Sequence, residues 1–132
     1  MKYMLDTNII VYIRNNRPAE VFSRFRQYSP EDLCISAITM AELEYGACNS
    51  SDPLRNRLAL LTFLSTIRIL PFDAEASADY GQIRYYLKTK GEPIGSNDLL
   101  IAAHARSAGL TLVTNNTKEF KKVPGLEIVN WV

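Results

Sequence analysis

Short apolar runs and amphipathic stretches alternate from one end of the chain to the other, which predicts a βαβ-type layered fold rather than a helical bundle. Residues 3–5 read as a short buried strand and 8–14 as the helix after it, and Pro18 opens a second helical segment to about residue 27. The run 33–36 is a second strand, followed by a helix over 39–47. Asp52-Pro53, a cap followed by proline, starts a helix to about residue 65. After a third strand at 68–70, Asp73 caps a long helix whose Ala76, Tyr80, Ile83 and Leu87 form one apolar stripe and which Gly91 ends. Gly95-Ser96 begins a helix to about residue 107, ended by Gly109; an apolar, β-branched strand spans 110–114. A short turn or helix at 117–121 and a last strand at 127–129 close the chain.

This alternation changes the meaning of three acidic residues. In an open α/β sheet, ligands bind at the edge where strands end and helices begin. Asp6 stands at the end of the first strand, Glu42 early in the helix after the second, and Asp98 in the first turn of the helix that Gly95-Ser96 opens. Each has a structural explanation of its own. Asp6 can cap the following helix, although Thr7 and Asn8 are also good capping types. Glu42 lies three residues after Thr39, the spacing of a capping box. Asp98 is favoured by the dipole of its helix. If all three converge on one sheet edge, their like charges raise one another's pKa unless a cation intervenes, and hard oxygen ligands suit Mg²⁺ or Mn²⁺.

Composition narrows the field without deciding it. At 132 residues the chain is the size of one domain, 1–132, and its 47% hydrophobic and 22% charged content is ordinary for a globular protein. With 15 basic and 14 acidic residues the net charge is +1, so any binding to nucleic acid must be local. Arg14, Arg17, Arg24 and Arg26 form one loose basic group, and Lys118, Lys121 and Lys122 another. Cys34 and Cys48 lack the spacing of a zinc or redox motif and read as free thiols in a reducing cytosol. No segment reads as a membrane span or leader, so a cytoplasmic protein is expected. The single histidine, His104, falls among Ala102, Ala103 and Ala105 and reads as structural.

Four motifs in order then carry a resemblance: Leu5-Asp6-Thr7-Asn8; Ser36-Ala37-Ile38-Thr39-Met40-Ala41-Glu42-Leu43 with Gly46; Gly95-Ser96-Asn97-Asp98 with Ile101-Ala102-Ala103-His104-Ala105; and Leu112-Val113-Thr114-Asn115-Asn116 with Glu119-Phe120. Over nearly its whole length the chain resembles the PIN-domain ribonucleases, and among them the VapC-type toxins of bacterial toxin-antitoxin systems. The resemblance implies a three-layer α/β/α fold around a central, mainly parallel sheet. It matches Asp6, Glu42 and Asp98 to the family's acidic metal-binding and catalytic residues, and Thr7 and Thr114 to polar positions beside them. The family's fourth acidic position falls at Asn116, which brings no charge, so a tightly held second metal is not expected. Glu119 supports the site or substitutes there.

The same resemblance implies a Mg²⁺-dependent endoribonuclease (with Mn²⁺ as a substitute) that hydrolyses RNA by in-line attack of water. The implied target is tRNA, more narrowly the anticodon loop of the initiator tRNA. It also implies a cognate VapB-type antitoxin that covers the site, operator DNA bound only through that antitoxin, a homodimer, and no membrane. Candidates for contacting RNA bases are Tyr12, Arg14, Tyr45 and the lysines around Glu119, and the amphipathic segments after Pro18 and Pro53 are candidates for the antitoxin groove. The rival readings are a catalytically inactive PIN-like binding module, suggested by Asn116, and a phosphoacceptor receiver domain. The receiver would need an acidic pair after the first strand, where this chain has Thr7-Asn8. A nucleotide-binding module would need a glycine-rich phosphate loop, and none is present.

Overall fold

The computed structural model describes residues 1–132. Five strands, β1 (Tyr3–Leu5), β2 (Leu33–Ser36), β3 (Arg68–Leu70), β4 (Thr111–Val113) and β5 (Ile128–Val129), form one sheet. All neighbours run parallel, in the order β3-β2-β1-β4-β5. The helices are α1 (Thr7–Asn15), α2 (Ala19–Gln27), α3 (Ala37–Cys48), α4 (Pro53–Leu64), α5 (Ala74–Lys90), α6 (Ser96–Ser107) and the single turn α7 (Thr117–Phe120).

A parallel sheet must be covered on both faces, and the strands carry the matching pattern. Tyr3, Leu5, Leu33, Ile35, Ile69, Val113 and Val129 point to one core, shared with α1 to α4 and Trp131. Met4, Cys34, Leu70, Leu112 and Ile128 point to the other, shared with α5, α6 and Phe120. The period-2 alternation thus sorts apolar side chains onto two faces rather than onto one face and solvent. The result is the three-layer α/β/α arrangement expected from the sequence.

The helix ends explain where the sequence-based boundaries shift. Ser36, at the end of β2, accepts a hydrogen bond from the Ile38 amide at 3.0 Å and caps α3, so this helix begins at Ala37 rather than at Thr39. Asp6 takes the capping position of α1, which begins at Thr7 rather than at residue 8. β4 is confined to Thr111–Val113, shorter than the predicted 110–114, and the last strand holds Ile128–Val129. Gly91 ends α5 with φ of 68°, a left-handed conformation that costs glycine little, and its amide reaches Leu87 and Lys88 carbonyls.

His104 is buried on α6, where Nδ1 lies 2.7 Å from Ser36 Oγ and the ring meets Phe72 edge-on. Burial lowers its pKa. The ring therefore ties α6 to the capping residue of α3. Arg106, farther along α6, reaches Asp79 at 2.9 Å, Gln82 at 2.9 Å and the Pro124 carbonyl at 3.0 Å, joining α5, α6 and the C-terminal loop. Both cysteines are free; Cys34 is buried, which pushes its thiol up to about 11, and Cys48 is exposed. No helix is long and apolar enough to cross a membrane.

Phe120 is fully buried at the end of α7 and anchors the segment after β4 to the second core. Phe120→Ala is expected to destabilise the fold by about 3–5 kcal/mol, read as a lower urea midpoint with the slope unchanged.

Candidate active site

The sheet order creates a crevice between β1 and β4. The chain leaves β1 into α1 on the first core and leaves β4 into α7 on the second, so the two strand ends diverge to opposite faces. Such a switch point is where open α/β sheets bind ligands. Asp6 sits there, only 4% exposed, with its amide bonded to the Val113 carbonyl at 2.9 Å.

Asp6 does more than cap α1. One carboxylate oxygen accepts from the Thr7 amide at 2.7 Å, and the other accepts from the Thr114 hydroxyl at 2.8 Å. A helix cap usually serves the second or third amide, and here only the first is served. The remaining oxygen is held by the neighbouring strand end, which positions the group for the crevice. Burial raises its pKa, and Glu42 adds to the rise, while the Thr114 and Thr7 hydrogen bonds oppose it.

Glu42 is not part of a capping box. Because Ser36 caps α3, Glu42 lies in the second turn, too far along to reach the capping amide. Its two oxygens are instead taken by the Thr7 hydroxyl and, at 3.1 Å, by the Asn97 side-chain amide. The carboxylate therefore bridges the starts of α1 and α6. Thr39, the proposed partner, is fully buried, and its hydroxyl lies 3.4 Å from that of Thr7.

Asp98 is the third residue of α6, whose capping residue, Gly95, offers no side chain. Its carboxyl is pushed up to about 6 by burial and then by the charges of Asp6, Glu42 and Glu119. Asn116 opposes the shift through a long contact of 3.4 Å from its amide nitrogen. The Asn116 backbone amide donates to Thr114 Oγ1 at 3.0 Å, so Thr114 links Asn116 to Asp6. Glu119 is turned toward Lys122, with Nζ at 3.3 and 3.4 Å from its two oxygens.

None of the three ion pairs in the structure involves Asp6, Glu42 or Asp98. The three acids repel one another with no basic partner, and all their donors are hard oxygens, a combination that fits a divalent cation. As placed, however, no three acidic side chains lie close enough to clasp one ion together. The expected three-carboxylate convergence is thus an electrostatic one, because the Glu42 oxygens are held by Thr7 and Asn97.

Two contacts escaped sequence reasoning. Asn97 was part of a recognised motif but had no role until its bond to Glu42, 55 residues away, became visible. Tyr12, a candidate for base contact, is half-buried and its hydroxyl accepts from the Asn115 amide at 2.7 Å. It braces α1 against the segment after β4. Arg14 is exposed and lines a groove of about 290 Å³ with Thr7, Glu42, Leu43 and Gly46. Lys118 and Lys121 are exposed as well, whereas Lys122 is engaged by Glu119. Tyr45 is 69% exposed beside a recess between α3 and α6.

The family model described as the PIN domain matches residues 3–126. The chain is 48% identical over 132 residues to a Haemophilus influenzae protein named Ribonuclease VapC2, covering 100% of this chain and 99% of that one. It is 47% identical over 131 residues to a Shigella flexneri protein named tRNA(fMet)-specific endonuclease VapC, covering 99% and 98%. Among solved structures it superposes on VapBC2 from Rickettsia felis bound to a promoter DNA fragment, with a TM-score of 0.92, 43% identity and full coverage of both chains. DNA-bound VapBC from Salmonella typhimurium gives a TM-score of 0.94 at 42% identity, covering 100% of this chain and 99% of that one.

The pKa of Asp98 generates a test. Because its folded value of about 6 lies above the ordinary 3.8, its contribution to stability is present at low pH and is lost as pH rises through about 6. In EDTA, Asp98→Asn is expected to unfold at a higher temperature than wild type at neutral pH, with the difference closing toward about pH 4. Added divalent cation should raise the wild-type Tm more than that of the variant. Parallel Tm curves across this pH range would show that Asp98 is not strained by its neighbours.

Proposed function

The chain belongs to the PIN domain family, and from that premise we propose that it is the toxin of a toxin-antitoxin system, a divalent-metal-dependent endoribonuclease that cuts tRNA and so inhibits translation. The observation that carries this reading is the cluster of Asp6, Glu42 and Asp98, uncompensated by any basic partner, at the β1/β4 crevice. The names of full-length relatives support it: ribonuclease for some, and an endonuclease specific for initiator tRNA for others. The anticodon loop is the proposed place of cleavage, since single-stranded loops present splayed bases to a protein. Residues 1–132 act as one domain in the cytoplasm.

Asp6 and Asp98 would hold the ion, Mg²⁺ or alternatively Mn²⁺, with Glu42 either joining them or orienting a water. When bound, such a cation acidifies water, polarises the phosphate and offsets charge on the departing oxygen. The chain's own residues fix the geometry. Thr114 and the Thr7 amide hold the two oxygens of Asp6, while the Thr7 hydroxyl and Asn97 hold those of Glu42. Asn116 faces Asp98 with an amide rather than an acid, and Glu119 adds negative charge that Lys122 partly offsets. That balance favours one firmly held ion. In-line attack forms a bond from the water oxygen to phosphorus and breaks the bond to the 3′ oxygen, leaving a 5′-phosphate and a 3′-hydroxyl.

The proposed partner that silences the enzyme is a VapB-type antitoxin, which would also carry any contact with operator DNA. Two of the solved relatives are VapBC complexes bound to DNA. On this chain Leu54, Leu58 and Leu61 are 74%, 57% and 40% exposed and form one apolar stripe on α4. Exposed leucines at that spacing suit an amphipathic helix laid across α4, whereas the groove with Arg14 and Gly46 meets α4 on its other face, at Asn56. A homodimer completes the proposed assembly.

Asp6→Asn is expected to abolish RNA cleavage in Mg²⁺ with Tm unchanged or raised, and to relieve growth arrest on expression. Mapping of RNA ends should find 5′-phosphates at the cut. Normal cleavage by Asp6→Asn would overturn the ligand assignment, and a 2′,3′-cyclic phosphate would overturn the mechanism. Equal toxicity of both forms would favour the inactive binding module.

A further inference from the structure

We propose that the recess between α3 and α6 receives an unstacked nucleobase flanking the cut phosphate, with Tyr45 as its stacking face. This rests on the ribonuclease reading above and specifies how that site selects RNA. The recess measures about 550 Å³ and is lined by Thr7, Ile38, Ala41, Glu42, Tyr45, Asn97 and Leu100. Volumes of this order hold a small planar ligand.

Three observations identify the occupant. First, the recess is continuous with the acid cluster, because Thr7 and Glu42 line it and are bonded to each other. A phosphate at the carboxylates therefore places the neighbouring base at its mouth. Second, Ile38, Ala41 and Tyr45 share one face of α3, and Leu100 stands opposite on α6, giving apolar walls; the only charge is the negative Glu42. Such a lining repels a phosphate and accepts a neutral ring. Third, the Tyr45 ring is 69% exposed and is not among the aromatic pairs that pack within the chain.

Recognition of single-stranded RNA uses such faces, since stacking on an aromatic ring is worth about 1–3 kcal/mol per base whatever the base. Asn97, an exposed residue of the lining, adds selectivity. It spends one amide proton on Glu42, and its second proton and carbonyl oxygen remain for a base edge. Because Asn97 also fixes Glu42, Tyr45 is the residue to vary.

The test compares wild type with Tyr45→Ala, Tyr45→Phe and Tyr45→Trp on an anticodon stem-loop RNA, and on versions with an abasic nucleotide on either side of the cut. Tyr45→Ala is expected to lower kcat/KM by roughly ten- to a hundredfold. Tyr45→Phe and Tyr45→Trp should recover most of that loss. One abasic substitution should cost wild type a similar factor and cost Tyr45→Ala little, since both remove the same contact. A second arm adds single-stranded RNA to Asp6→Asn/Tyr45→Trp and reads indole fluorescence, where quenching is expected from stacking; Trp131 is buried and serves as background.

Full activity of Tyr45→Ala, failure of Tyr45→Phe to recover, or losses that multiply would overturn the inference while leaving the nuclease reading intact. If wild type cuts no RNA, the nuclease reading fails and the quenching arm alone decides whether the recess takes a base. A change of mass for Tyr45→Ala in sedimentation would make this face an interface between copies and overturn the inference.

Discussion

The hydrogen bond from the Thr114 hydroxyl to Asp6 joins the ends of β1 and β4, the two strands between which the strand order reverses. A carboxylate at 4% exposure loses most of its hydration, and that loss is the main reason its pKa rises. Thr114 on one side and the Thr7 amide on the other return part of the lost solvation. Neither donor carries a positive charge. The hydrogen bonds therefore hold the group in place without neutralising it, and its field reaches Asp98, which is raised as well. Further polar contacts of the crevice extend from this pair: Asn116 through Thr114, and Glu42 through Thr7.

How far the site could be read in the sequence follows from the range of the interactions that build it. Asp6 and Asp98 were legible because strand ends and helix starts are local patterns, and a parallel sheet places them on one edge. Glu42 was legible as a residue but not as a geometry. Ser36 and Thr39 are both good capping types, and the helix start was decided by β2, whose register against β3 carries the strand through to Ser36. A shift of two residues moved Glu42 out of reach of any cap and turned it toward Thr7 and Asn97. Separation along the chain hid Tyr12 with Asn115 and His104 with Ser36, pairs 103 and 68 residues apart. Local spacing holds no trace of such contacts.

The α/β layering was legible for a more robust reason. Each strand distributes its few side chains over two cores, so one residue of slip would exchange Met4 with Leu5 and Cys34 with Ile35 between differently shaped faces. Boundaries are softer, since helix ends depend on whichever polar side chain the sheet presents. That is why the order of elements agrees with the pattern while the starts of α1 and α3 move by one and two residues.

Glu42 also separates the two uses proposed for the crevice. The groove between α1, α3 and α4 and the recess between α3 and α6 both include Thr7 and Glu42, and they share no other lining residue. The first carries the one basic side chain of the two, Arg14, a feature suited to a protein segment. The second is walled by apolar side chains and an exposed ring, features suited to a base. A segment bound in the groove would meet the acid cluster at Glu42 from the side opposite the RNA, and its charge there could disturb the carboxylate without filling the recess. Holding Glu42 by two neutral donors rather than by an ion pair keeps it sensitive to whatever charge arrives, since no fixed cation masks it.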